Sequence, residues 1–219
     1  TVSNFRMVSI DTTTDYTEID GEYPQFSNAS NVFNAKISNA INLGIKDQYE
    51  ASKENWKARY DTQGGEESVG TFPKADEKFG YNASSTIIRN DSSVISVVIR
   101  VYEYSGGAHG SEVIHTFNYD LINQREIELT TLIQKDKDLL KKLSTTSRTL
   151  LLKDLAKRGE VSEDQIDKSM LNDGTEPLSE NFSLFTLPND KEITFYFIQY
   201  QVAAYVFGSS ELTIPYPVQ

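Results

Sequence analysis

The sequence contains no cysteine and only two histidines among its 219 residues. The lack of cysteine excludes a disulfide framework, a thiolate metal site and a cysteine nucleophile. Basic residues are also scarce, because 21 Lys and Arg stand against 32 Asp and Glu, a net charge of −11. Nucleic-acid-binding domains present a basic patch to the phosphate backbone, so this balance argues against a nucleic-acid partner.

Long apolar runs are missing as well. The densest stretch, Val94 to Val101, is interrupted by Ser96 and Arg100, whereas a membrane-spanning helix needs about 20 largely apolar residues. The chain opens Thr-Val-Ser, without the charged and apolar segments of a signal peptide. We therefore expect a mature or trimmed start, and membrane contact only through a segment that this sequence does not contain. Apolar residues still make up 38% of the chain, enough for a core at this length.

The apolar pattern predicts strands interrupted by a few helices. Apolar residues recur every four positions from Phe33 to Tyr49, which predicts an amphipathic helix packed on the chain's own sheet. Leucines at helical spacing predict a second helical region from about 131 to 158. The strand at 94–101 is apolar on both faces, as in a central strand covered on both sides. Since regular βαβ alternation is absent, the fold class is α+β, a largely antiparallel sheet packed against a few helices.

Residues 61–80 contain five glycines or prolines among several charges and predict a linker or long loop. This loop divides a segment at 1–80 from a segment at 81–219. We expect the two segments to form one compact unit, because the strands before the loop are too few to cover the predicted helix alone. A shorter turn is predicted at Gly21–Pro24.

Motifs for catalysis or metal binding are weak. The two histidines, His109 and His115, lack a local carboxylate pattern and make a poor zinc site. No nucleophile elbow and no phosphate-binding glycine loop is present. Among 32 acidic residues a glycosidase-like pair is always available, so such a pair carries no specificity. The sequence therefore predicts no cofactor, no metal site and no catalytic residue.

The loop after the predicted central strand is the most distinctive feature. Its adjacent glycines, Gly106 and Gly107, predict positive φ or a close backbone approach. Flanking aromatic residues favour a recognition surface, because loops on a rigid sheet often carry function. The alternative is a structural turn in which His109 satisfies backbone groups. The candidate ligand-binding residues are Tyr102, Tyr104, Ser105, Gly106, Gly107 and His109.

Several motifs resemble a known family. Tyr-Ser-Gly-Gly-Ala-His at 104–109, Phe-Asn-Tyr-Asp at 117–120 and Glu-Ile-Glu-Leu at 126–129 resemble domain of unknown function 3298. The ending from Phe197 to Gly208, followed by Leu-Thr-Ile-Pro, resembles the same family. Upstream, Glu-Tyr-Pro-Gln-Phe at 22–26 and the following helix resemble its N-terminal companion, domain of unknown function 4163. The resemblance assigns 1–80 to the companion and 81–219 to domain 3298.

The resemblance implies a non-catalytic module that faces the cell envelope. The same pairing is known from the extracytoplasmic part of the anti-sigma factor RsiV, which binds lysozyme, and from the peptidoglycan deacetylase PdaC. The implied location is extracytoplasmic, as a secreted, periplasmic or membrane-anchored lipoprotein domain. The implied partner is a cationic protein such as lysozyme, or peptidoglycan.

The sequence leaves three functions open. The first is a binding or sensor module, for which the net charge of −11 would attract a cationic partner. The second is a hydrolase of envelope glycans that uses a carboxylate with His109. The third is a structural domain of a lipoprotein, in which the acidity serves only solubility. The oligomeric state and the ligand are not fixed by the sequence.

Overall fold

The computed structural model describes residues 4–62 and 70–216. The glycine pair at 64–65 in the predicted loop lies outside the described residues. The strands are β1 (Phe5–Ser9), β2 (Thr12–Thr13), β3 (Thr17–Phe26), β4 (Phe79–Asn90), β5 (Val94–Tyr104), β6 (Ser111–Asp120), β7 (Arg125–Glu126), β8 (Phe185–Asn189), β9 (Glu192–Phe197) and β10 (Ser210–Pro215). The α-helices are α1 (Asn31–Thr62), α2 (Leu129–Lys135), α3 (Leu139–Arg158) and α4 (Lys168–Gly174). Short 3₁₀ turns lie at Ala75–Glu77, Ser179–Phe182 and Tyr205–Phe207.

The strands form two sheets. The larger sheet has the order β1-β3-β4-β5-β6-β7, with β2 also paired to β3, and the smaller has the order β10-β9-β8. The pair β3–β4 is parallel, from Thr17 opposite Phe79 to Gly21 opposite Ala83. The pairs β1–β3, β6–β7, β8–β9 and β9–β10 are antiparallel. The predicted α+β class with a largely antiparallel sheet is confirmed.

Helix α1 forms where the four-residue apolar period predicts it. Phe33, Ile37 and Ile41 are fully buried along one face. The Ser30 hydroxyl accepts a hydrogen bond of 3.2 Å from the amide of Phe33 and caps the first turn. Strand β5 is also as predicted, because all residues from Ile95 to Ile99 are buried. None of the helices among the described residues is long and apolar enough to cross a membrane.

One local prediction is wrong, and one predicted helical region is present but interrupted. Gly21–Pro24 lies within β3 and is not a turn. Gly21 has φ +124°, and a Cβ there would meet the Ala83 carbonyl oxygen at 2.0 Å, so this position requires glycine. The pairing of β3 with β4 ends at this residue, before Pro24. The helical region at 131–158 is divided into α2 and α3. The break lies at Asp136, whose carboxylate accepts a hydrogen bond from the amide of Asp138.

The chain divides into two compact units. Unit 1 contains Thr1–Ser85 and Ile99–Val113, and unit 2 contains Thr86–Val98 and Ile114–Gln219. The division therefore passes through β4, β5 and β6 and not through the predicted 61–80 loop. The expectation that the segments 1–80 and 81–219 form one compact unit stays a prediction.

Unit 2 contains a buried polar network. The Ser96 hydroxyl donates to the Asn118 carboxamide oxygen at 2.6 Å and accepts from the amide of Leu187 at 2.9 Å. The Asn118 carboxamide nitrogen donates to the Phe185 carbonyl at 2.8 Å. Side chains of β5 and β6 thus satisfy backbone groups of β8. Buried strands need such partners because no water is present to bind their polar groups.

We expect Asn118→Leu to destabilise the protein by about 2–4 kcal/mol. The change leaves the Phe185 carbonyl and the Ser96 hydroxyl without their buried partner, and each such loss costs about 1–3 kcal/mol. Urea unfolding at neutral pH measures the difference. The matched control is Asn172→Leu, at an exposed position, which should change stability by less than about 0.5 kcal/mol. Equal effects of the two changes would contradict a structural role for the network.

Candidate functional site

A cavity of about 680 Å³ lies in unit 1 beside the loop that follows β5. Three parts of unit 1 form its wall: the end of α1, the turn before β4, and the loop itself. The lining residues are Asn55, Arg59, Asp76, Glu77, Lys78, Phe79, Tyr104, Ser105, Gly106 and Gly107.

Gln48 of α1 fixes the start of this loop. Its side chain is buried, and its carboxamide nitrogen lies 2.8 Å from the Tyr104 carbonyl and 3.0 Å from the Gly80 carbonyl. The two amide hydrogens therefore satisfy the end of β5 and the start of β4 together. One helical side chain thus determines where both strands meet the cavity.

Two further hydrogen bonds hold the loop. The Asn55 carboxamide nitrogen donates to the Ser105 carbonyl at 2.7 Å, and the Tyr104 hydroxyl donates to the Gly107 carbonyl at 3.2 Å. Gly106 and Gly107 have φ of +107° and +93°, as the sequence predicts. Because L-residues rarely adopt such angles, the loop depends on glycine at both positions.

The charged groups of the cavity are held by local contacts. The Arg59 guanidinium lies 5.2 Å above the Trp56 ring and 4.0 Å from the Glu77 carboxylate. The Lys78 ammonium donates to the Thr14 carbonyl at 2.5 Å. Cations, carboxylates and the Phe79 and Tyr104 rings therefore surround one space, a lining that suits a polar ligand with an apolar face.

The perturbed titratable groups of unit 1 do not line this cavity. Burial raises the pKa of Glu103, and the nearby Asp47 carboxylate adds to the increase. Burial also raises the pKa of Tyr81, with a contribution from Glu103, and the Tyr81 hydroxyl donates to the Ile41 carbonyl at 3.3 Å. Strongly perturbed groups often mark catalytic sites, but Tyr81 is buried against α1 and Glu103 is half-buried.

The structure separates the predicted site residues into two groups. Tyr104, Ser105, Gly106 and Gly107 line the cavity together, whereas Tyr102 and His109 are not among its lining residues. Tyr102 is 51% exposed, so its side chain is not a core residue at this end of β5. His109 is exposed, with its Nδ1 3.0 Å from the Gly110 carbonyl. Such a contact is expected if the loop is a structural turn in which His109 satisfies a backbone group.

No metal centre is apparent in the described ranges 4–62 and 70–216, where no group of three or more His, Cys, Asp or Glu side chains is arranged to hold an ion. His115 is half-buried, its ring lies parallel to that of Phe117 at 6.3 Å, and burial lowers its pKa. These observations describe a packing environment for His115.

A second exposed feature, in unit 2, was missed by the sequence reasoning. The segment 198–206, between β9 and β10, presents Tyr200 at 56%, Val206 at 85% and Ile198 at 42% exposure. The ring of Tyr205 lies 5.7 Å from that of Tyr200. Tyr200 has φ +67°, which is unusual for a bulky residue and often accompanies a functional constraint.

Gln201 holds this segment in place. Its carboxamide nitrogen donates to the carbonyls of Gly174 and Asn181 at 3.1 and 3.0 Å, and its carboxamide oxygen accepts from the amide of Ile198 at 3.1 Å. A Cβ at Gly174 would meet the Gln201 carbonyl oxygen at 1.9 Å, so only glycine permits this approach. Just beyond this segment, the Phe207 carbonyl accepts a hydrogen bond of 2.7 Å from the Arg158 guanidinium. The exposed side chains therefore stand on an anchored backbone.

Comparison with protein families now adds an independent line of support. Residues 130–217 match the family described as protein of unknown function DUF3298. The segment 130–217 of the chain is therefore similar to the DUF3298 family. Residues 10–112 match a second family, described as deacetylase PdaC. The predicted resemblance is thus confirmed. The 104–109 loop lies within the PdaC-like range, although the sequence analysis assigned it to the segment at 81–219.

Individual relatives agree with this assignment. The chain is 35% identical over 133 residues to the peptidoglycan-N-acetylmuramic acid deacetylase PdaC of Bacillus subtilis, and the match covers 61% of this chain but 27% of that protein. A DUF3298 family structure from Bacteroides fragilis has a TM-score of 0.58 at 20% identity, covering 97% of this chain and 90% of that one. A DUF3298 family structure from Pseudomonas aeruginosa has a TM-score of 0.54 at 13% identity, with the same coverages. These two structures support the fold.

We expect Gly106→Val and Gly107→Val each to cost more than about 1 kcal/mol of stability, because both positions have positive φ. Gly106→Val should cost more, since a Cβ there would also approach the Phe79 ring at 3.2 Å, whereas the space at Gly107 is open. Thermal and urea unfolding measure the effect. Gly80→Val is the matched control, because a Cβ at Gly80 meets nothing within 4 Å and its φ is not positive. Wild-type stability of both loop variants would show that the loop is not constrained.

Proposed function

We propose that this chain is a non-catalytic binding module of the bacterial cell envelope, located outside the cytoplasm in a secreted, periplasmic or lipid-anchored protein. Support comes from the DUF3298-like segment and from the PdaC-like segment, whose relative is named for an action on peptidoglycan. The chain spans about a quarter of that relative's length. We therefore infer an envelope location from this relative, and we do not infer deacetylase activity.

The main support for the proposal is the segment 198–206, whose exposed side chains stand on an anchored backbone. Side chains that dominate protein interfaces are commonly aromatic or large and apolar, and they act best on a backbone that is ordered before binding. Tyr200, Tyr205 and Val206 meet both conditions, because their segment is held by the three hydrogen bonds of Gln201. Such a surface fits a protein partner better than a small metabolite.

The charge of the chain favours a cationic partner. A net charge of −11 accelerates encounter with a positively charged protein. Lysozyme is the partner for which the family resemblance provides a precedent, so it is the partner that we propose to test. The loop residues Tyr102, Tyr104, Ser105, Gly106, Gly107 and His109 remain a proposed second ligand-binding surface, open to a protein or to peptidoglycan.

Titration with lysozyme tests this function. We expect a complex at about 50 mM salt, with an association rate that falls as salt rises to about 0.5 M, because the Debye length shrinks from roughly 14 to 4 Å. Val206→Asp and Tyr200→Ala should each weaken binding by at least about tenfold through faster dissociation, because they remove exposed anchors. Calorimetry gives the affinity and stopped-flow mixing gives the rates.

Val32→Asp is the matched control, because Val32 is similarly exposed but lies on α1. It adds the same negative charge and should leave the affinity unchanged. The absence of detectable heat or complex at high micromolar concentration would remove lysozyme as a partner. Equal effects of Val206→Asp and Val32→Asp would instead show that the 198–206 segment is not the contact surface.

A further inference from the structure

We propose that the exposed sheet face around Tyr102 in unit 1 binds a glycan that carries free amino groups. The inference rests on the proposed envelope-binding function and names a class of ligand for it. The face is separate from the lining of the cavity, and it consists of outward-facing residues of β3, β4 and β5.

The Tyr102 ring is prepared as a platform. It lies over Gly110, where an added Cβ would meet Cζ and Oη of the ring at 2.5 Å. Gly110 is buried while Tyr102 is 51% exposed, so one side of the phenol covers backbone and another meets solvent. A ring supported in this way loses little freedom when a ligand stacks on it. The flat C–H face of a pyranose is a suitable partner for such a ring.

Strand register places polar side chains in line with this ring. Asp20 of β3 lies opposite Asn82 of β4. In the hairpin β4–β5, the Ser84 hydroxyl donates to the Arg100 carbonyl at 3.5 Å, and the Gln48 carboxamide reaches the carbonyls of both Gly80 and Tyr104. From these contacts we infer that Asn82 lies opposite Tyr102. Neighbouring strands are about 4.8 Å apart, so the row Asp20–Asn82–Tyr102 spans about 10 Å. That span matches about two linked sugar rings.

The acidic end of this row is rich in hydrogen-bond acceptors. The Asn82 carboxamide nitrogen donates to Asp20 Oδ1, so Asn82 Oδ1 and Asp20 Oδ2 are further acceptors of the row, while the second Asn82 N–H and the Tyr102 hydroxyl are its donors. Glu18 lies two residues before Asp20 on the same exposed face. Arg100, a cation on the same face of β5, forms an ion pair of 3.0 Å with Glu112. The carboxylates of Glu18 and Asp20 therefore favour a ligand with positively charged donors.

An ammonium group satisfies this requirement better than an acetamido group. It offers three donors and a positive charge to the carboxylates of Glu18 and Asp20, and it is attracted to the face of a tyrosine ring. An acetamido group offers one donor and no charge, so it loses the attraction to these carboxylates. The face therefore favours an amino sugar over its N-acetylated form.

The composition of the face argues for a glycan and against a protein. The large apolar side chains that are exposed in the described part of unit 1 are Val32, Leu43, Phe72 and Tyr102. Of these, Tyr102 is the one on a strand of the sheet. Protein hot spots sit in well-packed, largely desolvated surroundings, whereas Tyr102 is bordered by carboxylates, amides and glycines. Such a border suits a hydroxyl-rich and amine-rich ligand.

The test compares two defined oligosaccharides, the β-1,4-linked hexamers of glucosamine and of N-acetylglucosamine, by calorimetry at about 50 mM salt. We expect the glucosamine hexamer to bind at least about tenfold more tightly. Tyr102→Ala should weaken its binding by at least about tenfold, whereas Tyr102→Phe should retain it because the ring is kept. Asp20→Asn should weaken it about threefold to tenfold, because it removes the charge and keeps the shape.

Two controls distinguish this site from general attraction to an acidic protein. Glu163→Gln removes one exposed negative charge in unit 2 and should leave binding unchanged, as should Tyr200→Ala. Equal losses for Asp20→Asn and Glu163→Gln, or equal affinity for the two hexamers, would overturn the proposal. If Tyr102→Ala does not fold, the comparison of Asp20→Asn with Glu163→Gln decides. The lysozyme titration depends on other residues, so each proposal can fail without the other.

Discussion

Each unit depends on one glutamine that satisfies two backbone carbonyls. In unit 1, Gln48 joins the end of β5 and the start of β4 to α1. In unit 2, Gln201 joins its own loop to the carbonyls of Gly174 and Asn181. A carboxamide provides two donors and can satisfy carbonyls at or near the ends of strands and helices. In both units these hydrogen bonds hold the backbone that carries the neighbouring exposed residues.

The parts of the fold that local pattern determines were predictable. The Phe33–Ile41 stripe and the apolar run in β5 each specify burial through the residues themselves, so α1 and the central strand were identified from the sequence. The predictions failed where tertiary contact decides. Pro24 lies in a strand because the pairing of β3 with β4 has already ended at Gly21. Asp136 ends a helix because its carboxylate accepts a hydrogen bond from the Asp138 amide. Neither effect is visible in residue spacing.

The candidate site was predictable to the same degree. The conformation of Gly106 and Gly107 follows from residue type, and the structure has positive φ at both. Two other residues of the cavity wall, Asn55 and Arg59 from α1, lie about fifty residues earlier in the chain, and no short-range signal connects them to the loop. Tyr200 was missed for a different reason, because its left-handed backbone depends on Gln201 and is not indicated by a glycine at that position.

The parallel pairing of β3 with β4 has a consequence for the order of folding. Thr17 and Phe79 are paired across 62 residues that include the whole of α1, so their contact requires closure of a long loop, whereas the β4–β5 hairpin closes through a turn of three residues. Loop closure is an entropic cost that non-local contacts must meet before they stabilise the chain. We therefore expect the hairpin to form early and α1 to dock late. The cavity, whose wall requires both, is complete only at the end of folding.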